Sequence, residues 1–126
     1  YSQVARLCAE QTLTGAVFRD NVLDVQRMLS MGVSPNQFDA AGEHSALHHA
    51  CYRANAAIVD VLLRAGAEVD IRNVRGETPL MWACKTEGVA VALLLLERGA
   101  DPLARDQVRT NIYSHHNITK QFIRKY

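Results

Sequence analysis

The residues best suited to chemistry are a histidine pair followed closely by a cysteine. His48 and Cys51 lie one helical turn apart and His49 is adjacent, so two or three ligands for a zinc ion stand close together. A structural zinc site needs four ligands, and no second ligand pair follows at zinc-finger spacing. The pair His115 and His116 has no companion cysteine. The sequence therefore predicts no metal site.

Patterns that would indicate catalysis are missing from the chain. It contains no glycine-rich phosphate loop, no Gly-x-Ser-x-Gly and no His-Glu-x-x-His. The acidic residues are scattered, and Asp24, Asp60 and Glu97 fall on predicted helices as solvated charges. We therefore predict that the chain is not an enzyme and uses no cofactor.

A repeat of about 33 residues positions these side chains. Leu47-His48-His49-Ala50 recurs 33 residues later as Leu80-Met81-Trp82-Ala83, and a glycine follows each alanine after sixteen residues. Leu13-Thr14-Gly15-Ala16 precedes Gly32 at the same interval. Such a period is typical of stacked helix-turn-helix units that bury one another's apolar faces. The sequence thus predicts an elongated solenoid with a large exposed flank.

Local signals define the helices of each unit. Thr78 is suited to cap a helix that begins at Pro79, where a missing N–H is tolerated. Gly32, Gly66 and Gly99 stand where helices end in a left-handed residue, and Gly42 and Gly76 fit turns that need positive φ. Apolar residues at i, i+1, i+4 and i+5 give each second helix one buried stripe: Ile58, Val59, Leu62 and Leu63, then Val91, Ala92, Leu95 and Leu96.

Residues 73–105 closely resemble the ankyrin repeat. They read Asn73-x-x-Gly76-x-Thr78-Pro79-Leu80-x-x-Ala83 and end in Leu94-Leu95-Leu96-Glu97-Arg98-Gly99-Ala100-Asp101. Residues 39–72 are a second copy with one extra residue after Gly42, so we expect a finger of different shape there. The resemblance implies an all-α solenoid whose units each carry a β-turn finger and two short helices. It also implies that His48 ties neighbouring repeats together by hydrogen bonds.

The resemblance covers the chain as one domain, residues 1–126. Residues 1–38 are expected to form an N-terminal capping repeat, with helices over 2–18 and 23–31, and residues 106–126 a shortened closing repeat. The longest apolar run, residues 89–96, is far below the roughly 20 residues that cross a bilayer. Tyr1 in place of methionine suggests a fragment of a longer chain.

The three cysteines point to a reducing compartment. Cys51 and Cys84 occupy the same place in successive repeats, and stacked helices lie about 8–10 Å apart, beyond the reach of a disulfide. Cys8 falls elsewhere, in the N-terminal helix. We expect reduced, buried cysteines and an intracellular, cytoplasmic location.

The ankyrin resemblance implies a partner-binding groove lined by the fingers and the first helices. Seven basic residues fall on this surface against Glu43 and Glu77, although the whole chain carries a net charge of only +1. A concentrated positive groove favours acidic partners, and aromatic side chains are common binding anchors. The residues expected to bind a partner are Arg19, Tyr52, Arg53, Arg72, Arg75, Trp82, Lys85, Arg105 and Arg109.

We predict a non-catalytic protein-interaction module that binds a peptide or extended loop, acidic or phosphorylated, in this groove. An alternative is a substrate-recruiting or regulatory domain of a larger enzyme, because Thr78-Pro79-Leu80-Met81-Trp82-Ala83 resembles repeats of the DHHC palmitoyltransferases. A third is binding of a phosphorylated nucleotide or oligonucleotide. The 14 basic and 13 acidic residues make nucleic acid a poor fit to this chain. The oligomeric state is left open, and no membrane insertion is expected.

Overall fold

The structure is a computed structural model, and it describes residues 12–86 and 88–107. These residues contain six helices. No β-strand occurs in these residues, and an isolated bridge joins Phe38 to Ser45. The predicted all-α class is therefore confirmed. The helices are α1 (Leu13–Phe18), α2 (Val22–Ser30), α3 (Ala46–Tyr52), α4 (Ala56–Arg64), α5 (Pro79–Lys85) and α6 (Val89–Glu97).

The helices form two stacked layers. The first helix of each pair contacts the first helix of the next, in the order α1, α3, α5, and the second helices stack as α2, α4, α6. Each first helix also packs against its own second helix. The core lies between the layers, so each unit is stabilised by its neighbours as in a solenoid.

Side-chain caps set where five of the six helices begin. Thr78 Oγ1 accepts from the backbone N–H of Met81, and Pro79 is the first residue of α5, both as predicted. Ser45 caps α3 in the same way. Gly88 precedes α6 and gives no side-chain cap.

The glycines predicted to end the second helices have positive φ, and so has Gly76. A side chain at Gly76 would place its Cβ 3.2 Å from both Cγ and the backbone nitrogen of Gln107. The positive φ of this turn therefore favours glycine, and the close approach of the next finger adds to that preference.

The predicted apolar stripes face the core. Ile58, Val59 and Leu62 of α4 are buried, and Leu63 is half-buried. The corresponding residues of α6 follow the same pattern. In α2, Val25 and Met28 are buried as expected, whereas Leu29 is only half-buried. The first predicted helix, residues 2–18, is wrong at Thr12, which is extended and accepts from Gly15 N–H as the cap of α1. Apart from residues 106 and 107, the expected closing repeat lies outside the described residues, as does the part of the first predicted helix before residue 12.

Cys51 and Cys84 are free and buried, as predicted. Burial raises the pKa of the Cys84 thiol to about 11 and that of the Cys51 thiol further still. Both thiols are therefore protonated and unreactive at neutral pH. Cys8 lies outside the described residues.

No helix in the described part of the chain combines the length and apolar content needed to cross a membrane.

Removing Leu62 tests the assigned repeat register. Its side chain is fully buried, so Leu62→Ala should lower the free energy of unfolding by about 2–5 kcal/mol. Leu23 is 76% exposed, so Leu23→Ala should change it by less than about 0.5 kcal/mol. Denaturant unfolding of both variants checks this, and equal losses would contradict the register.

Candidate partner-binding groove

Two fingers project between the helix pairs, and their lengths differ as the sequence predicts. In finger 1 (residues 37–45) the backbone N–H of Asp39 donates to the carbonyl of His44 at 2.9 Å. In finger 2 (residues 71–78) the N–H of Asn73 donates to the carbonyl of Glu77 at 3.1 Å. Finger 1 closes a loop one residue longer than finger 2, which is the extra residue seen after Gly42.

Backbone hydrogen bonds hold the fingers side by side. The N–H of Val74 in finger 2 donates to the carbonyl of Glu43 in finger 1 at 3.1 Å. Finger 3, described over residues 104–107, is joined to finger 2 because Gln107 N–H donates to the carbonyl of Arg75 at 3.0 Å. The three fingers therefore form one continuous edge alongside the first helices.

Six rings form a contiguous cluster where the fingers meet α1, α3 and α5. The ring centroid of Trp82 lies 4.5 Å from that of His44, 5.7 Å from Tyr52 and 6.1 Å from His49. The Phe18 ring lies 4.8 Å from His49. We call this set the aromatic cluster; its members are Phe18, His44, His48, His49, Tyr52 and Trp82.

The edges of the aromatic cluster are open to solvent. Tyr52 is 60% exposed and Phe18 is 51% exposed, while Trp82 between the fingers and α3 is half-buried. Large aromatic side chains that are held in place yet partly exposed are common anchors in interfaces. A cleft of about 350 Å³ adjoins Phe18 between α1 and finger 1, lined by Thr12, Thr14, Gly15, Phe18, Asp39, Ala40 and Ala41.

The buried carboxylate of Glu77 holds the tryptophan. Glu77 is only 4% exposed, and it accepts from Trp82 Nε1 at 3.1 Å, from Asn73 Nδ2 at 2.9 Å and from Lys85 Nζ. Burial alone would raise its pKa, but the hydrogen bonds from Asn73, Lys85 and Trp82 together with the Lys85 charge bring the pKa down to about 2. Glu77 is therefore ionised at neutral pH.

His48 joins neighbouring repeats, as the family resemblance implies. Its Nε2 lies 2.7 Å from the carbonyl oxygen of Glu77, and its Nδ1 lies 2.7 Å from Ser45 Oγ. Burial lowers the pKa of His48 to about 4, so the ring is neutral at pH 7. Because a carbonyl only accepts, the proton is on Nε2, which donates across the repeat boundary.

The other two histidines are held by finger residues. His49 Nε2 lies 2.9 Å from Asp39 Oδ2, and Asn73 Nδ2 lies 3.2 Å from His44 Nδ1. Nδ1 of His44 therefore accepts from the Asn73 amide. Burial, followed by the charge of His49, lowers the pKa of His44. Within the described residues, no three His, Cys, Asp or Glu side chains form a group that could hold a metal ion.

Three of the predicted groove cations are ion-paired. Each lies at or near the end of a first helix, and each contacts a carboxylate of the chain itself. The pairs are Arg53 Nη2 with Asp20 Oδ2 at 2.8 Å, Arg19 Nη2 with Asp24 Oδ2 at 3.3 Å, and Lys85 Nζ with Glu77 Oε2. The positive charge along the first helices is therefore smaller than the sequence count suggests.

The acids in two of these pairs were missed by sequence reasoning. Asp20 and Arg53 are separated by 33 residues, about one repeat length, and such residues become neighbours in a stack. A search of the sequence for oppositely charged residues 33 positions apart would have identified this pair. Asp24 belongs to a second helix, and its contact with Arg19 depends on the turn between the helices.

The other basic residues predicted to line the groove belong to the fingers. We call Arg72, Arg75 and Arg105 the finger arginines; all three are exposed, and none forms an ion pair within residues 12–86 and 88–107. Arg72 Nη1 donates to the carbonyls of Gly76 at 2.8 Å and Arg105 at 2.6 Å. The ninth predicted residue, Arg109, lies outside the described residues.

Comparison with known proteins agrees with this architecture. The family model for ankyrin repeats matches residues 13–106 in three copies. The chain belongs to the ankyrin-repeat family. Ankyrin repeats are a general protein-interaction module, and stacked repeats present an extended binding surface.

Curated relatives of this ankyrin-repeat chain are much longer proteins. An ankyrin repeat and LEM domain-containing protein 1 homolog from Caenorhabditis elegans is 34% identical over 97 residues, which are 74% of this chain and 14% of the relative. The palmitoyltransferase ZDHHC17 of Danio rerio is 37% identical over 78 residues, 61% of this chain and 13% of the relative. The palmitoyltransferase Hip14 of Drosophila melanogaster is 32% identical over 92 residues, 71% of this chain and 14% of the relative.

The low pKa of Glu77 predicts an acid-sensitive fold. The ionised Glu77 carboxylate stabilises the fold fully at pH values above about 4.5, which is the pKa of this group in the unfolded chain. This stabilisation is lost as the pH falls toward about 2, which is its pKa in the folded chain. Between these values the free energy of unfolding should fall by about 2–3 kcal/mol more in the wild type than in Glu77→Gln.

At pH 7, Glu77→Gln should be destabilised by about 1–3 kcal/mol, because Lys85 loses its buried carboxylate partner. Denaturant unfolding from pH 7 to pH 2 measures both effects. Parallel pH curves for the two proteins would contradict the assigned role of Glu77.

Proposed function

We propose that this ankyrin-repeat chain is a non-catalytic module that binds an extended peptide or loop of another protein in the groove between the fingers and the first helices. The partner carries apolar residues that contact the aromatic cluster and acidic residues that face the fingers. We propose an intracellular, cytoplasmic setting, in keeping with the two free, buried thiols.

The observation that carries this proposal is the aromatic cluster. Trp82 is fixed by its hydrogen bond to the buried Glu77, and Tyr52 and Phe18 leave more than half of their surface exposed beside it. Rigid aromatic side chains lose little conformational entropy when a partner binds, so they contribute strongly to affinity. A peptide running along the first helices would contact all three rings.

The distribution of charge supports the acidic preference of the fingers. Along the first helices the cations already contact carboxylates, so those pairs leave little net charge for a partner. The finger arginines keep their charge, and they lie on the same edge of the groove. An acidic residue is therefore expected to bind at the fingers, and an apolar residue at the helices.

Random twelve-residue peptides selected on the immobilised chain would test the groove directly. Trp82 is the single tryptophan, so its fluorescence reports binding of the selected peptides. Tyr52→Ala should weaken these peptides at least about 30-fold, the equivalent of a hot spot of about 2 kcal/mol.

Leu23→Ala is the matched control, because it also removes an exposed apolar side chain, from α2, outside the aromatic cluster. It should leave affinity unchanged. Peptides that bind both variants as tightly as the wild type would place the binding surface outside the groove.

A second candidate function is substrate recruitment within a larger enzyme. The palmitoyltransferase relatives and the Thr78–Ala83 string favour it. Sequencing the complete transcript that encodes this chain decides the matter. An acyltransferase domain in the same reading frame would support recruitment, and its absence from the complete protein would remove this candidate.

A further inference from the structure

The finger arginines combine a concentration of positive charge with a fixed backbone. The three residues belong to two adjacent fingers, and Arg72 bridges them by donating through Nη1 to the carbonyls of Gly76 and Arg105. A guanidinium has five N–H donors, and these two bonds leave about three of them without an acceptor in the described part of the chain. Arg72 is thus oriented while most of its donors stay available.

The backbone that follows Arg72 in finger 2 is also constrained. Gln107 donates from its backbone N–H to the carbonyl of Arg75 at 3.0 Å and from Nε2 to the carbonyl of Val74 at 3.1 Å. The fingers approach so closely that a Cβ at Gly76 would lie 3.2 Å from Gln107. The backbone segments that bear the three arginines are therefore held together before any ligand binds, which reduces the entropy lost on binding.

Two carboxylates of finger 1 lie beside histidines of the aromatic cluster. Glu43 lies 3.8 Å from His44 Nε2, and Asp39 accepts from His49. Neither forms an ion pair with a finger arginine among the described residues. The finger arginines therefore keep donors that Glu43 and Asp39 do not occupy.

We infer that the finger arginines bind the phosphoryl group of a phosphorylated residue in the partner peptide, a conclusion that rests on the proposed function of the groove. A phosphorylated side chain carries about −1.5 to −2 charge and three acceptor oxygens, and guanidinium groups match its geometry with paired hydrogen bonds. A single carboxylate offers two oxygens and one charge, so it satisfies fewer of the available donors.

The phosphoryl site and the aromatic cluster are close enough for one peptide to contact both. The backbone N–H of Val74, next to Arg75, donates to the carbonyl of Glu43, next to His44, at 3.1 Å. The His44 ring in turn lies 4.5 Å from Trp82. The peptide is therefore expected to carry its phosphorylated residue a few positions from an apolar residue.

Three degenerate peptide libraries test this inference. Each has five random residues on either side of a fixed centre, which is phosphoserine, serine or glutamate. The wild-type chain should retain the phosphoserine library about tenfold or more over the serine library, since charge-assisted hydrogen bonds are lost without the phosphate. Arg75→Ala/Arg105→Ala should reduce this ratio to about one, while Arg64→Ala, which removes an exposed arginine of α4, should leave it unchanged.

The other possible results distinguish a wrong phosphoryl site from a wrong groove. If the wild type retains all three libraries equally and Tyr52→Ala loses them, the groove binds peptides and the phosphoryl site is wrong. Equal retention of the glutamate and phosphoserine libraries would also overturn it, in favour of a general acidic site. Retention of no library would contradict both the groove and the phosphoryl site. Displacement of the phosphoserine library by equimolar inorganic phosphate would identify free phosphate as the ligand instead.

Discussion

One buried residue, Glu77, joins parts of the molecule that come from two repeats, through its carboxylate within its own repeat and through its backbone carbonyl to the preceding one. Its oxygens accept from Trp82 on α5 and from Asn73 at the start of finger 2, and its backbone carbonyl accepts from His48 of the preceding repeat. A buried charge is stable only when it is hydrogen-bonded, so the carboxylate keeps Trp82 and Asn73 in position. The shape of the groove follows from this requirement.

The groove presents two kinds of surface along its width. On the first helices, Arg53 and Lys85 are neutralised by Asp20 and Glu77, so that the exposed aromatic edges dominate that side. On the fingers, hydrogen bonds between adjacent backbones hold the arginines without neutralising them. The repeat of residues 73–105 therefore presents apolar surface at its first helix and positive charge at its finger, and Arg105 of finger 3 extends that charge.

The fold could be predicted from the sequence because its determinants are local and periodic. The cap at Thr78, the glycines after the second helices and the stripe through Leu62 each depend on residues within one repeat. The ion pairing of the groove residues could not be predicted from the sequence in the same way. Whether Arg53 faces a partner or Asp20 depends on contacts between repeats, and sequence reasoning counted charges on the groove without pairing them across one period.

The indole Nε1–H of Trp82 offers the most direct test of the role assigned to Glu77. Because Trp82 is the single tryptophan, its indole proton gives one assignable NMR resonance. With the pKa of Glu77 near 2, the resonance should keep its chemical shift through pH 4.5 and move only as the pH approaches 2. A titration midpoint near 4.5, or rapid exchange of this proton with water at neutral pH, would contradict the account.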